Sequence, residues 1–151
     1  MDIIEVLRNT DLAHGLKDEE LTELGKLFHY RHAIRDEIIF KEGEPSEELY
    51  IIIHGRVSVQ IYSTSHPGEM EKIATLRDNE IFGEFSLIDG SPRSATVNAE
   101  EETDMIYVDN VDFHRLLSSK EHIGYVIMRN VAKILTGKLR KTNFEMRNAI
   151  L

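Results

Sequence analysis

The chain contains no cysteine, so it has neither a disulfide framework nor thiolate chemistry, which fits a reducing cytoplasm. It also lacks an apolar run near the roughly 20 residues that a membrane-crossing helix needs, and its amino terminus has no basic-then-apolar leader pattern. A cytoplasmic location away from any membrane is therefore expected. The seven histidines (His14, His29, His32, His54, His66, His114, His122) fall into neither His-x-His nor His-Glu-x-x-His spacing. His29 and His32 share one face of a segment with helical spacing but have no obvious carboxylate companions, so no metal is expected. There is no Gly-x-Ser-x-Gly elbow either, and an enzyme is not expected. Net positive charge is missing as well. The balance of −9 argues against nucleic acid as the partner of the body, because phosphate backbones are held by clustered Lys and Arg.

What the chain does have is 151 residues, 41% of them hydrophobic, with no low-complexity linker or internal repeat. That suffices for one domain with a buried core, spanning 1–151. Charge is uneven along it: between Arg129 and Arg147 six basic residues meet one acid, Glu145. A solvated basic face at the carboxyl end of a helix explains this, with docking to an acidic effector protein as the alternative.

Residues 2–9 and 17–30 have helical spacing, the second segment opening at Asp18 as a cap with Glu19 and Glu20 in its first turn. From 37 to 108 the pattern changes to short β-rich runs: 37–41, 48–54, 56–64, 70–76, 94–99 and 103–108. Turn clusters such as Gly43-Glu44-Pro45 and His66-Pro67-Gly68 separate them. Helical spacing returns at 109–117 and again from His122 to beyond Phe144. The expected fold is α+β and mainly β: a small antiparallel β-barrel or jelly roll at 37–108, with N-terminal helices in 1–36 and two C-terminal helices in 109–151. On the last helix Ile123, Ile127, Val131 and Ile134 form a stripe suited to the barrel. Met128, Ala132, Leu135, Leu139, Thr142 and Met146 alternate spacings of four and three, the seam of a short coiled coil, so a homodimer through this helix is expected.

The segment 81–97 carries the chemistry. Gly83 lets backbone approach a ligand, and the N–H groups opening the following helical turn point toward an anion. Arg93 offers a planar fork of donors for two phosphate oxygens, whereas Glu84, an acceptor when ionised, suits a sugar hydroxyl. Ser94 and Thr96 have period-two spacing and face the same way from a strand.

Phe82-Gly83-Glu84, a short linker and then Arg93-Ser94-Ala95-Thr96 resemble the phosphate-binding cassette of cyclic nucleotide-binding domains. Ile39–Pro45 and Leu49–Val57 are similar to the two glycine-marked strand segments upstream of that cassette, and Asp109–Leu117 to the first helix after the barrel. The resemblance implies a regulatory module that binds cyclic AMP, or cyclic GMP, without a metal. The implied ligand contacts are Phe82, Gly83, Glu84, Phe85, Ser86, Arg93, Ser94 and Ala95. A lid formed by the last helix would bring Leu135, Thr136, Lys138 or Leu139 to the base. In the family a threonine after the cassette arginine goes with guanine contact; Ser94 stands there, so cyclic AMP is the expected preference. Catabolite-activator-like regulators of the family carry a winged helix-turn-helix after the long helix. The sequence ends at Leu151, so direct DNA binding is not expected. Two alternatives are a degenerate domain acting as a protein-interaction scaffold and a metal-dependent jelly-roll enzyme.

Overall fold

In the computed structural model residues 2–150 are described, apart from the side chain of Ser86. The organising strand is β3 (Glu48–His54), whose middle residues Leu49 to Ile52 are all buried. Successive side chains of a strand point to opposite faces, so such a run requires a core on each side. Leu49 and Ile51 join a cluster with the helices, whereas Tyr50 and Ile52 join one that lies between sheets.

Among the described residues eight strands form two four-stranded antiparallel sheets. The first runs β1 (Phe28–Ala33), β8 (Thr103–Asp109), β3, β6 (Ile81–Phe82); the second runs β2 (Ile38–Phe40), β7 (Thr96–Ala99), β4 (Val57–Tyr62), β5 (Met70–Leu76). The fold is a jelly-roll-like pair of sheets flanked by helices, as expected, but the barrel does not close. Edge strands β6 and β2 have only two and three residues, too few to carry hydrogen bonding from one sheet to the other. Gly55 turns β3 into β4 at φ 132°, with Thr103 so near that a Cβ would come 2.7 Å from the Thr103 Cα.

The helices are α1 (Ile3–Asn9), α2 (Asp18–Gly25), α3 (Phe85–Asp89), α4 (Asn110–Ser119) and α5 (Glu121–Ile150), with a 3₁₀ turn at Asp11–Ala13. Two local expectations need correction. Lys17, not Asp18, caps α2; its N–H donates to the Glu20 carboxylate at 2.9 Å, while Asp18 pairs with Arg8 at 3.0 Å. Helical spacing extended this element to Tyr30, yet α2 ends at Gly25 and residues 28–33 form β1, registered on β8 from Phe28 opposite Val108 to Ala33 opposite Thr103. Long-range pairing and the edge-to-face contact of Phe28 with Phe113 override local periodicity there. His29 and His32 thus sit on a strand, and His32 does have a carboxylate companion, Asp104, at 2.7 Å.

The inner half of α5 is held firmly. Ile123, Ile127 and Val131 are buried, and the buried Asn130 amide donates to the carbonyls of Leu12 and His14 at 2.8 and 2.9 Å. Residues 139–150, by contrast, are all exposed. No helix among the described residues is long and apolar enough to cross a membrane.

Candidate functional site

The cassette begins where β6 ends. Gly83 adopts φ 80°, a conformation that side chains disfavour, and a Cβ there would lie 2.7 Å from Arg93 Nη1 and 2.9 Å from the Glu48 carbonyl. Glycine is needed because the guanidinium packs directly on the backbone at this point. Glu84 follows, and its carbonyl accepts from Leu87 N–H at the start of α3.

Arg93 lies between the cassette linker and β7, fixed by its backbone: its N–H donates to the Glu44 carbonyl and its own carbonyl accepts from Gly43 N–H, both at 2.8 Å. Its guanidinium donates to the Glu48 carbonyl at 2.8 Å and, longer, to the Gly83 carbonyl at 3.4 Å. The charge lies 3.8 Å from the centre of the Phe40 ring. Nε has no partner, and among the described residues Arg93 makes no ion pair. Burial lowers its pKa from the ordinary value, partly offset by the fields of Tyr50, Glu48, Glu44 and Glu47. Arg93 is 6% exposed and Glu84 3%. A buried cation with a donor to spare and no direct ion pair has the chemistry to accept an anion.

Around it stands an aromatic group. Phe82 stacks on Tyr50 with centroids 4.8 Å apart and planes 4° from parallel, and Phe40 leans on both. The Tyr50 hydroxyl donates to the Glu48 carboxylate at 2.7 Å and accepts from Arg31 at 3.1 Å. Burial first, and the Glu48 carboxylate second, push the Tyr50 pKa up, so the hydroxyl remains a donor.

The expected contacts separate into groups. Phe82, Gly83, Glu84, Arg93 and Ala95 are buried or half-buried about the cassette. Phe85 is exposed, and the Ser86 side chain lies outside the described residues. Ser94 is exposed and precedes the strand, since β7 starts only at Thr96; Thr96 is buried and accepts from Glu42 N–H at 3.0 Å. The shared strand face of Ser94 and Thr96 therefore does not form. On α5, Lys138 reaches the cassette, donating to Glu84 Oε1 at 2.5 Å and to the Ile81 carbonyl at 3.3 Å. Leu135 packs on the helical core, Thr136 bonds back to the Ala132 carbonyl, and Leu139 is exposed. Phe40 and the Gly43–Glu44 backbone were not expected as supports of Arg93; the signal available was only an aromatic in the first β-rich run and the turn that follows it. Among the described residues no group of three or more His, Asp or Glu is placed to hold a metal ion.

Residues 30–120 match the family profile described as cyclic nucleotide-binding domain. The chain is 29% identical over 140 residues to the cyclic AMP receptor protein of Thermus thermophilus, covering 93% of this chain and 62% of that protein. It is 34% identical over 118 residues to a cyclic nucleotide-gated potassium channel of Rhizobium etli, covering 78% of this chain and 31% of the channel. It thus spans less than two thirds of either relative. A solved cyclic nucleotide-binding domain from Methylobacillus flagellatus superimposes with a TM-score of 0.87 at 27% identity, covering 99% of this chain and 83% of that one.

Proposed function

This chain belongs to the cyclic nucleotide-binding domain family, and from that premise we propose that it binds a purine 3′,5′-cyclic monophosphate, cyclic AMP in preference to cyclic GMP, and signals through its C-terminal helices. The observation that carries the reading is Arg93: a buried guanidinium with an unpartnered Nε and no ion pair among the described residues, one short cassette away from the buried carboxylate of Glu84. The cyclic phosphodiester carries a single negative charge and matches one arginine. The ribose supplies the hydroxyl that Glu84 accepts. Gly83, Phe82 and Ala95 line the ligand in this reading, with the exposed Phe85 and Ser94 at its edge. The α5 segment that holds Leu135, Thr136, Lys138 and Leu139 serves as the lid beside the base.

The output is differential binding: a ligand that favours one position of α5 over another shifts the population of that helix. The exposed apolar side chains Leu139, Phe144 and Met146 on its outer part suit self-association or an effector protein. The action is binding and regulation rather than catalysis, without a metal, in the cytoplasm.

Calorimetry on protein stripped of ligand by unfolding and refolding tests this. Cyclic AMP should bind, cyclic GMP more weakly, and linear AMP, whose phosphate is doubly charged, poorly. If no cyclic nucleotide gives a heat or a thermal shift, the nucleotide reading fails and a scaffold that binds protein takes its place. Ser94→Thr should move the ratio of affinities toward cyclic GMP; an unchanged ratio removes Ser94 from the base edge.

A further inference from the structure

Lys138 stands on α5 beyond the helix's buried residues, and the acceptors of its ammonium are Glu84 Oε1 in the cassette and the Ile81 carbonyl on β6 just before it. Among the described residues, no other ion pair or side-chain hydrogen bond ties α5 beyond Asn130 to the sheets. Lys138 also lines, with Ile81, a cleft of about 790 Å³ between α5, the 3₁₀ turn and the Asp78–Glu80 turn. The Glu84 side chain is only 5% exposed, whereas that of Lys138 is 36% exposed. A carboxylate so enclosed offers a ligand only the space that a neighbour gives up. Its neighbours Phe82 and Leu87 are core residues, whereas the Lys138 ammonium, on a side chain more than a third exposed, can leave without unpacking the interior.

We propose that Lys138 competes with the nucleotide for Glu84: in the unliganded chain its ammonium holds the acceptor that the sugar hydroxyl requires, and the ligand enters by breaking this pair. The inference rests on Glu84 as the ribose acceptor. It makes Lys138 a determinant of affinity, because only molecules with the pair open are competent. A pair closed in about nine molecules of ten raises the apparent dissociation constant about tenfold. It also gives α5 its response, since a displaced Lys138 exchanges its hold on Glu84 for a new seat of the outer helix over the bound base.

The full chain is compared with Lys138→Met and Lys138→Gln by calorimetry with cyclic AMP, and by hydrogen exchange of the α5 amides without ligand. Both variants should bind about tenfold more tightly. Unliganded exchange beyond Asn130 should rise above that of the unliganded parent, and Glu84→Gln should raise it equally. If the parent binds and the Lys138 variants bind equally or more weakly, the competition is wrong while the nucleotide reading stands. Unchanged exchange in all three variants overturns the contact as a restraint on α5, whatever the ligand. If neither parent nor variants bind cyclic AMP or cyclic GMP, the nucleotide reading itself is wrong and the competition falls with it.

Discussion

Arg93→Met separates two roles that a buried arginine can have. Enclosing the guanidinium costs several kcal/mol in lost hydration, even after relaxation. Against this stand a charged hydrogen bond to the Glu48 carbonyl, about 1.5–3 kcal/mol, and the face of Phe40 at 3.8 Å, about 2 kcal/mol in a dry setting. These terms nearly cancel, so a methionine that fills the same space should leave the unliganded stability within about 1 kcal/mol of the parent, a melting shift of roughly 2–4 °C at this size. Binding should behave differently. A phosphate left buried without its cation costs roughly 3–5 kcal/mol, at least about a hundredfold in affinity. At a cyclic AMP concentration about 100 times the parent's dissociation constant, the parent gains about 2.7 kcal/mol, whereas the variant gains under about 0.5 kcal/mol. Differential scanning fluorimetry with and without ligand reads both numbers. An unliganded variant that melts more than about 10 °C below the parent would make Arg93 a structural brace, and a variant that keeps the full ligand shift would remove it from the phosphate site.

Other expectations concern the frame. Asn130→Leu strips the Leu12 and His14 carbonyls of their amide donor and should cost about 1–3 kcal/mol in urea unfolding; a loss under about 0.5 kcal/mol would mean that water replaces the amide. Gly55→Ala adds a Cβ against Thr103 at φ 132° and should destabilise by more than about 2 kcal/mol, whereas an unchanged denaturation midpoint would refute the close contact. Asp104 raises the pKa of His32 above its ordinary 6.5, so the stability from His32 is complete below that value and is lost as pH climbs through the raised one. His32, then Tyr30, lower the Asp104 pKa below its ordinary 3.8, so that contribution holds above 3.8 and is lost as pH falls through the lowered value. His32→Gln should therefore flatten the fall in melting temperature between about pH 6 and 8; parallel profiles for parent and variant would contradict the assignment.

The cassette was legible because its signals are local: a glycine, an acid and an arginine within eleven residues, flanked by β-rich runs with clear turns. The inner stripe of α5 was legible for the same reason, with Ile123, Ile127 and Val131 buried as their spacing required. Contacts between distant residues were not. Helical spacing runs on to Tyr30, yet residues 28–33 pair with β8 as a strand, a contact that local periodicity does not carry. Lys138 stood out as a polar candidate, but nothing in the periodicity of α5 says that its ammonium would meet a carboxylate 54 positions earlier. Phe40 looked like any strand aromatic, and its place beneath the guanidinium depends on how β2 and the cassette linker come together.

α5 runs for 30 residues, about 45 Å, yet the body of the molecule supports only its first part. Residues 139–150 have the length at which an isolated helix is marginal in water, and Thr142, Asn143 and Asn148 are weak helix formers. In a single chain this end behaves thermodynamically as a peptide attached to a folded protein. Its unwinding is gradual and non-cooperative, exposes little apolar surface and carries little heat-capacity change. Warming should accordingly give the far-UV circular dichroism baseline a slope with no calorimetric peak beneath it, well before the core melts.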